Sequence, residues 1–135
     1  MNFVKTIKTL PLVSYSFVGF ILSISALPLY IATPSIYAGL GQTIFITGIM
    51  LMIIRFVDAF TDPIFGILID RTGGHRFLRW LNPSLIILAS SVFFLFNPPE
   101  FLSNNSLFVF FWFVIFTLIV SISNGIATIA YQSWA

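Results

Sequence analysis

The sequence predicts an all-α membrane protein with four transmembrane helices, and composition and segment length are the two observations that predict it. Of the 135 residues, 59% are hydrophobic and only 7% are charged, whereas soluble domains carry about 25% charged residues. Four apolar segments each supply about 20 residues, the length that crosses about 30 Å of hydrocarbon as a helix. We place the helices at about 10–33, 43–69, 79–97 and 106–131.

The first segment follows Lys5 and Lys8, as the apolar part of a secretory signal would. Its apolar run of about 23 residues exceeds the roughly 7 to 15 of a signal peptide, so we interpret it as a retained helix. Pro28 lacks the N–H that would bond the carbonyl of Ile24. We therefore expect a kink in this helix near the middle of the membrane.

Basic residues are distributed unequally between the connecting segments. Two precede the first helix and three fall in or beside segment 70–79, whereas segments 34–42 and 98–105 contain none. By the positive-inside rule, both termini and segment 70–79 are predicted to be cytoplasmic, in a multi-pass protein of the cell (inner) membrane. These basic residues are Lys5, Lys8, Arg71, Arg76 and Arg79.

Composition also excludes several kinds of function. Six basic residues are too few and too dispersed for binding nucleic acid. With no cysteine and only His75, the chain cannot form a disulfide, a thiolate nucleophile or a histidine metal site. The lipid bilayer is the one partner that composition predicts directly.

The second helix carries three ionisable residues, Arg55, Asp58 and Asp62, within the apolar stretch Thr43–Ile69. Each charge at mid-membrane costs about 2.5 to 3.5 kcal/mol, or roughly 8 to 10 kcal/mol for three. Each apolar neighbour contributes only about 0.3 to 0.6 kcal/mol of favourable insertion free energy. We therefore expect the three charges to face a protein interior or a cavity, where ion and substrate sites lie in membrane proteins.

Helical spacing places these charges on one face. Asp58 and Asp62 differ by about 40°, and Arg55 lies within about 20° of Asp62. The face could form an internal salt-bridge network, or its surplus carboxylate could bind a cation or a proton. Pro63 frees the carbonyl of Ala59 as a further oxygen ligand. Spacing alone does not choose between Na⁺ and H⁺.

Polar residues of the fourth helix form a stripe within about 40° of one direction. Such a stripe faces either another helix or a cavity, not lipid. Ser121 with Gly125 favours a helix-packing seam, whereas Asn124, Thr128 and Tyr131 could line a substrate cavity. The stripe consists of Thr117, Ser121, Asn124, Thr128 and Tyr131.

The run RFVDAFTDPIFGILIDRT, residues 55–72, resembles the second helix and following loop of the glycoside-pentoside-hexuronide:cation symporters. These are the melibiose-permease branch of the major facilitator superfamily. Arg, Asp, Asp-Pro, Gly and Asp-Arg fall at the family's offsets, and the resemblance is good over residues 45–80. It implies that Asp58 and Asp62 bind the coupling cation, with Arg55 as their positively charged partner.

The loop after the second helix resembles the general facilitator loop. The resemblance implies a hinge and cytoplasmic gate in which charged residues exchange partners as the transporter rocks. The arginines could instead serve topology alone. The residues concerned are Gly66, Asp70, Arg71 and Arg76.

The chain departs from the sugar-transporting members of that family at two helices. Those members carry acidic residues in the first and fourth helices, but this chain has none there, and Thr128 stands where the acid of the fourth helix would lie. The resemblance therefore supports the cation site more strongly than it supports a sugar as the solute.

The resemblance implies a twelve-helix facilitator fold, of which residues 1–135 would supply the first four helices. We thus expect a partial amino-terminal domain of a cation-coupled symporter for a small solute. It would not be an enzyme, it would need no cofactor besides Na⁺ or H⁺, and its partners would be the missing helices or another subunit. The alternatives are a four-helix exporter active as a dimer and a non-transporting scaffold or remnant.

Overall fold

The protein is a bundle of four long α-helices in a computed structural model that describes residues 9–72, 76–102 and 104–133. No strand occurs within those ranges, which confirms the predicted all-α fold. A short 3₁₀ turn, Glu100–Leu102, lies between the last two helices. The helices are α1 Thr9–Gly39, α2 Ile44–Arg71, α3 Arg76–Phe96 and α4 Ser106–Gln132.

Each of the four helices contains a span long and apolar enough to cross a membrane. Large apolar side chains cover their outer surface, among them Phe17, Ile31, Phe60 and Ile86. Such a surface would be unstable in water but matches hydrocarbon. The chain is therefore an integral, multi-pass membrane protein.

Helix α4 is the centre of the bundle, since each of the other three helices makes its most extensive contact with α4. Its inward face combines large side chains such as Phe113 with small ones such as Ser121, Ala127 and Ala130, all of them buried. Small residues let neighbouring helix backbones approach closely, which is how helices associate in membranes. Asn105 caps the start of α4 by accepting a hydrogen bond from the amide of Leu107 (3.1 Å).

Helix α1 is longer than predicted, because it continues through Pro34 to Gly39. A proline costs a helix one backbone hydrogen bond, but buried neighbours can compensate for that loss inside a membrane. The extra turn buries Tyr37 completely against Phe113, with ring centroids 4.8 Å apart. Most of segment 34–42 is thus helix rather than loop, and the other helix ends differ from the prediction by at most three residues.

The two connections without Lys or Arg meet at one end of the bundle. Gly41 turns the chain between α1 and α2 with a φ of 89°, a conformation that favours glycine. Gln42 then donates hydrogen bonds to the carbonyl and hydroxyl oxygens of Ser106 (2.8 and 3.0 Å). These contacts fix the α1–α2 connection to the start of α4.

The opposite end carries the basic connection between α2 and α3. Arg71 and Arg79 are both exposed there. The indole of Trp80 donates a hydrogen bond to the hydroxyl of Thr72 (3.1 Å), which joins the end of α2 to the start of α3. Arg76 begins α3, but its side chain, with Lys5, Lys8 and His75, lies outside what the structure describes.

Candidate functional site

A cavity of about 510 Å³ lies between α1, α2 and α4, and it collects most of the charged and polar residues that the sequence singled out. Arg55, Asp58 and Asp62 of α2 all line it, although they sit within an apolar span. The polar residues around it are Tyr30, Arg55, Asp58, Asp62, Ser121, Asn124, Thr128 and Gln132.

Asp58 is the buried carboxylate of this cavity, with 8% of its surface exposed. Its Oδ2 accepts a hydrogen bond from the hydroxyl of Ser121 on α4. Its Oδ1 is buried and has no hydrogen-bond partner among the described residues. Burial of an unpaired carboxylate oxygen costs several kcal/mol unless a ligand satisfies it, so this oxygen is available for binding.

Asp62 lies one helical turn further along α2 and is exposed toward the cavity. Its Oδ1 faces Gly125 of α4 so closely that a Cβ atom on residue 125 would come within 2.7 Å of it. Real Cβ atoms essentially never approach another heavy atom that closely. Glycine at 125 therefore makes room for the Asp62 carboxylate.

Arg55 contacts an aromatic ring instead of a carboxylate. Its guanidinium carbon lies 4.2 Å from the centre of the Tyr30 ring, a cation–π contact that contributes about 0.5 to 2 kcal/mol. In the described parts of the chain, no ion pair within 4.0 Å joins Arg55 to Asp58 or Asp62. The internal salt-bridge network, one of the two interpretations of this face, is not formed in this structure.

The polar stripe of α4 divides between packing and cavity. Thr117 and Ser121 are buried in the bundle. Asn124 and Thr128 line the charged cavity and also a second, uncharged cavity of about 460 Å³ between α1 and α4. Tyr131 lines only the second cavity, where its ring stacks on Tyr15 with centroids 4.1 Å apart. The stripe thus packs within the bundle at Thr117 and Ser121 and lines cavities at Asn124, Thr128 and Tyr131. Its role in lining a substrate site stays a prediction.

Four site residues were not anticipated from the sequence as parts of the site. Tyr30 belongs to no motif in the sequence, and Gln132 lies in the last turn of α4, beyond the predicted end of that helix. Gly19 lies opposite the Tyr131 hydroxyl, where an added Cβ would come within 2.6 Å. Gly125 was noted as part of a packing pair with Ser121, but periodicity does not tell which helix a small residue faces.

The predicted gate residues lie away from both cavities. Gly66, Asp70 and Arg71 belong to the last turns of α2, and none of them lines either cavity. A Cβ at Gly66 would meet nothing within 4 Å, so close packing does not require glycine there. Their role as a gate stays a prediction.

The donor set limits which metal ions the cavity could hold. Over the ranges that the structure covers, no three His, Cys, Asp or Glu side chains gather into a metal site. Carboxylate, amide and hydroxyl oxygens are ligands that suit hard cations, whereas the sulfur and imidazole ligands that many transition metals prefer do not line this cavity.

Four membrane-spanning helices around a charged intramembrane cavity define the class: a multi-pass membrane protein with the internal polar site of a transporter. A family model described as MFS/sugar transport protein matches residues 10–135, and the chain belongs to that family within the major facilitator superfamily. The family consists of transporters rather than enzymes. Neither the curated proteins nor the solved structures gave a significant match.

Proposed function

We propose that this protein is part of a cation-coupled symporter of the melibiose-permease type, with Asp58 and Asp62 as ligands of the coupling cation. The observation that carries the proposal is the buried Oδ1 of Asp58, which lies in an intramembrane cavity without a partner among the described residues. The second carboxylate, one turn away, is held beside Gly125 of the neighbouring helix. Two carboxylates in a low-dielectric cavity attract a cation strongly.

The second cavity is our candidate for the solute site. Its polar lining is neutral, and it includes Ser16, Ser23, Asn124, Thr128 and Tyr131. Hydroxyl and amide groups beside an aromatic ring favour an uncharged, hydrogen-bonding solute, and sugars are one such class. Asn124 and Thr128 line both cavities, so cation and solute would occupy adjacent space.

Coupling would follow from neutralisation of charge. Without a cation, closure of the bundle around Asp58 and Asp62 would bury unpaired carboxylates at a cost of several kcal/mol. A bound cation removes most of that cost and shifts the population toward the closed form. The solute would therefore cross efficiently only with the cation.

Further helices would complete the site. Arg55 and Asp62 are both exposed within an apolar span, and contact with lipid would cost about 2.5 to 3.5 kcal/mol for each charge. We propose that helices from the same polypeptide or another subunit cover this face. We also propose that the termini and the basic α2–α3 connection lie on the cytoplasmic side of the inner membrane.

The test is cation-driven uptake by Asp58→Asn and Asp62→Asn, which keep side-chain shape but remove charge. The protein is produced from its whole open reading frame, and proteoliposomes are screened for uptake of labelled mono- and disaccharides under Na⁺ or H⁺ gradients. Each variant should lose cation stimulation by at least about 10-fold, because a charged ligand contributes more than about 1.4 kcal/mol.

Glu100→Gln is the matched control, since Glu100 lies in the 3₁₀ turn outside both cavities. It removes one carboxylate charge and should leave uptake unchanged. If both Asn variants keep cation-dependent uptake at the level of this control, the two carboxylates are structural and the proposal is wrong.

A further inference from the structure

We propose that a small cavity between α3 and α4, together with the arginines at the basic end of the bundle, binds one anionic phospholipid. The lipid phosphate would lie against Arg79 and Arg71, and an acyl chain would fill the cavity. This cavity shares no lining residue with the two polar cavities. The inference therefore goes beyond transport and does not rest on the proposed cation site.

The cavity has a volume of about 170 Å³ and lies along the first half of α3, nearer to the basic end. Four of its lining residues are apolar or aromatic, and one of these, Ile87, is 48% exposed. The cavity therefore opens on the outer surface of the bundle. The lining residues are Trp80, Pro83, Ser84, Ile87, Ser123 and Ile126.

Hydrocarbon suits this space better than water does. A void between apolar side chains loses dispersion contacts on its empty side, and a buried water needs about two to four polar partners. The lining offers few such partners, because the Ser84 hydroxyl already donates to the carbonyl of Leu81 (2.8 Å). An acyl chain at the surface of the bundle would fill the void without removing water from any polar group.

Positive charge lies directly beyond this cavity. Segment 70–79 contains three arginines and one aspartate, and the side chain of Arg79 is exposed. Arg79 precedes Pro83 by about one helical turn, and the two residues differ in direction around α3 by about 40°. Arg79 therefore lies on the face of α3 that carries the cavity, one turn nearer to the membrane surface.

A hydrogen bond brings a second arginine to the same end. The indole of Trp80, which lines the cavity, donates to the hydroxyl of Thr72 (3.1 Å). The exposed Arg71 directly precedes Thr72 at the end of α2. Arginine binds phosphate through paired, charge-assisted hydrogen bonds, and basic pockets between transmembrane helices bind anionic lipid headgroups.

The distance from Arg79 to the cavity matches the length of a phospholipid. Ile87 is the lining residue of α3 furthest from Arg79, and eight residues of helix span about 12 Å. One leaflet of the hydrocarbon core is about 15 Å thick. A lipid with its phosphate at Arg79 would therefore have its acyl chain beside the cavity within one leaflet. In the proposed orientation this is the cytoplasmic leaflet, whose surface is negatively charged.

The experiment measures bound lipid by native mass spectrometry of the protein, produced from its whole open reading frame and stripped of lipid in detergent. Phosphatidylglycerol is titrated, with phosphatidylcholine of the same acyl chains and inorganic phosphate as comparisons. Wild type should bind one phosphatidylglycerol at concentrations at which phosphatidylcholine does not bind. Inorganic phosphate at equal concentration should not compete, because it has no acyl chain. Arg79→Gln should raise the half-saturating concentration of phosphatidylglycerol at least about 10-fold.

Matched variants separate this site from a general attraction of anionic lipid to a basic protein. Lys8→Gln removes a positive charge that precedes α1 in the sequence, and it should leave the affinity unchanged. Arg79→Lys keeps the charge and should bind more tightly than Arg79→Gln. Ile87→Trp narrows the mouth of the cavity and should weaken binding several-fold. Ile86→Trp adds the same side chain at a neighbouring position that is 68% exposed and outside the cavity, and it should not weaken binding.

Several outcomes would overturn the proposal. Absence of bound phosphatidylglycerol in wild type would mean that protein covers the cavity. Equal effects of Lys8→Gln and Arg79→Gln would reduce the binding to net charge, and competition by inorganic phosphate would reduce it to an anion on the arginines. Equal affinities of Ile87→Trp and Ile86→Trp would exclude the cavity from the site.

A folding defect in one variant would not prevent the test. If Arg79→Gln does not fold, Arg71→Gln replaces it, and the comparison of the two tryptophan variants still applies. Failure of the lipid site would leave the proposed function untouched, since that function is tested by cation-driven uptake in Asp58→Asn and Asp62→Asn.

Discussion

At the scale of single residues, the two carboxylates of α2 share a face but differ in environment. Asp58 is buried and accepts a hydrogen bond from Ser121, whereas Asp62 is exposed and lies beside Gly125. The 40° separation predicted from helical geometry explains why they line one cavity. The difference arises from α4. Ser121 donates a hydrogen bond to Asp58, and Gly125, one turn further along α4, leaves room for Asp62.

Gly125→Ala should weaken cation binding without unfolding the protein. The new Cβ would push away the Asp62 carboxylate, which can move because its side chain is exposed and flexible. Alanine also favours a helix by about 1 kcal/mol relative to glycine, so stability should be equal or higher. Gly48→Ala is the control, since its Cβ would meet nothing within 4 Å. Measured by uptake under the cation gradient that drives wild type, the two variants should differ clearly, and equal uptake would contradict the close approach of Asp62 to Gly125.

At the scale of helices, the end of α3 depends on side chains from two other helices. The last carbonyls of a helix lack partners within it. The Tyr37 hydroxyl donates to the carbonyl of Leu95 (2.9 Å), and the indole of Trp112 donates to that of Phe94 (3.1 Å). In a membrane, where no water satisfies such groups, these bonds fix α1 and α4 against the end of α3.

Tyr37→Phe should destabilise the bundle by about 0.6 to 1.5 kcal/mol, because it removes a buried hydrogen bond and leaves the Leu95 carbonyl unpaired. Packing against Phe113 is retained, so the loss reports the hydroxyl alone. Ser90→Ala removes a hydroxyl that donates only to Ile86 of its own helix and is exposed. That control should change stability by less than about 0.5 kcal/mol. Equal unfolding temperatures for the two variants would argue against capping of α3 by Tyr37.

The same contacts show what the sequence could and could not predict. Four helices and the charged face of α2 follow from hydropathy and periodicity, which are local properties. The predicted end of α1, at residue 33, is too early, because the helix continues through Pro34 to Gly39. What extends the helix is a contact between Tyr37 and Leu95, 58 residues apart. The position of Arg55 over Tyr30 likewise depends on how α1 packs on α2. The spacing of residues within one helix carries no information about that packing.

At the scale of the whole molecule, charge separates the two ends of the bundle. The exposed residues Arg71 and Arg79 lie at the end where α2 meets α3. The opposite end, with Gln42 bonded to Ser106, carries no Lys or Arg in its connections. This distribution is the basis of the proposed orientation, in which the positive-inside rule puts the basic end in the cytoplasm and the opposite end at the outer face of the membrane.

Cysteine labelling tests this orientation directly, since the chain has no cysteine of its own. Asn104→Cys lies at the end without Lys or Arg and is exposed, and Thr72→Cys lies at the basic end. In intact cells a membrane-impermeant maleimide should label the first and not the second, and opening the cells should make the second reactive.

Thr72→Ser is the control for loss of the threonine side chain, because it keeps the hydroxyl that Trp80 bonds. Labelling of both cysteines from outside would contradict the four-span topology. Labelling of Thr72→Cys alone would mean that the protein has the opposite orientation in the membrane. In either case the positive-inside assignment would be wrong, whereas the cavity between α1, α2 and α4 would remain where the structure places it.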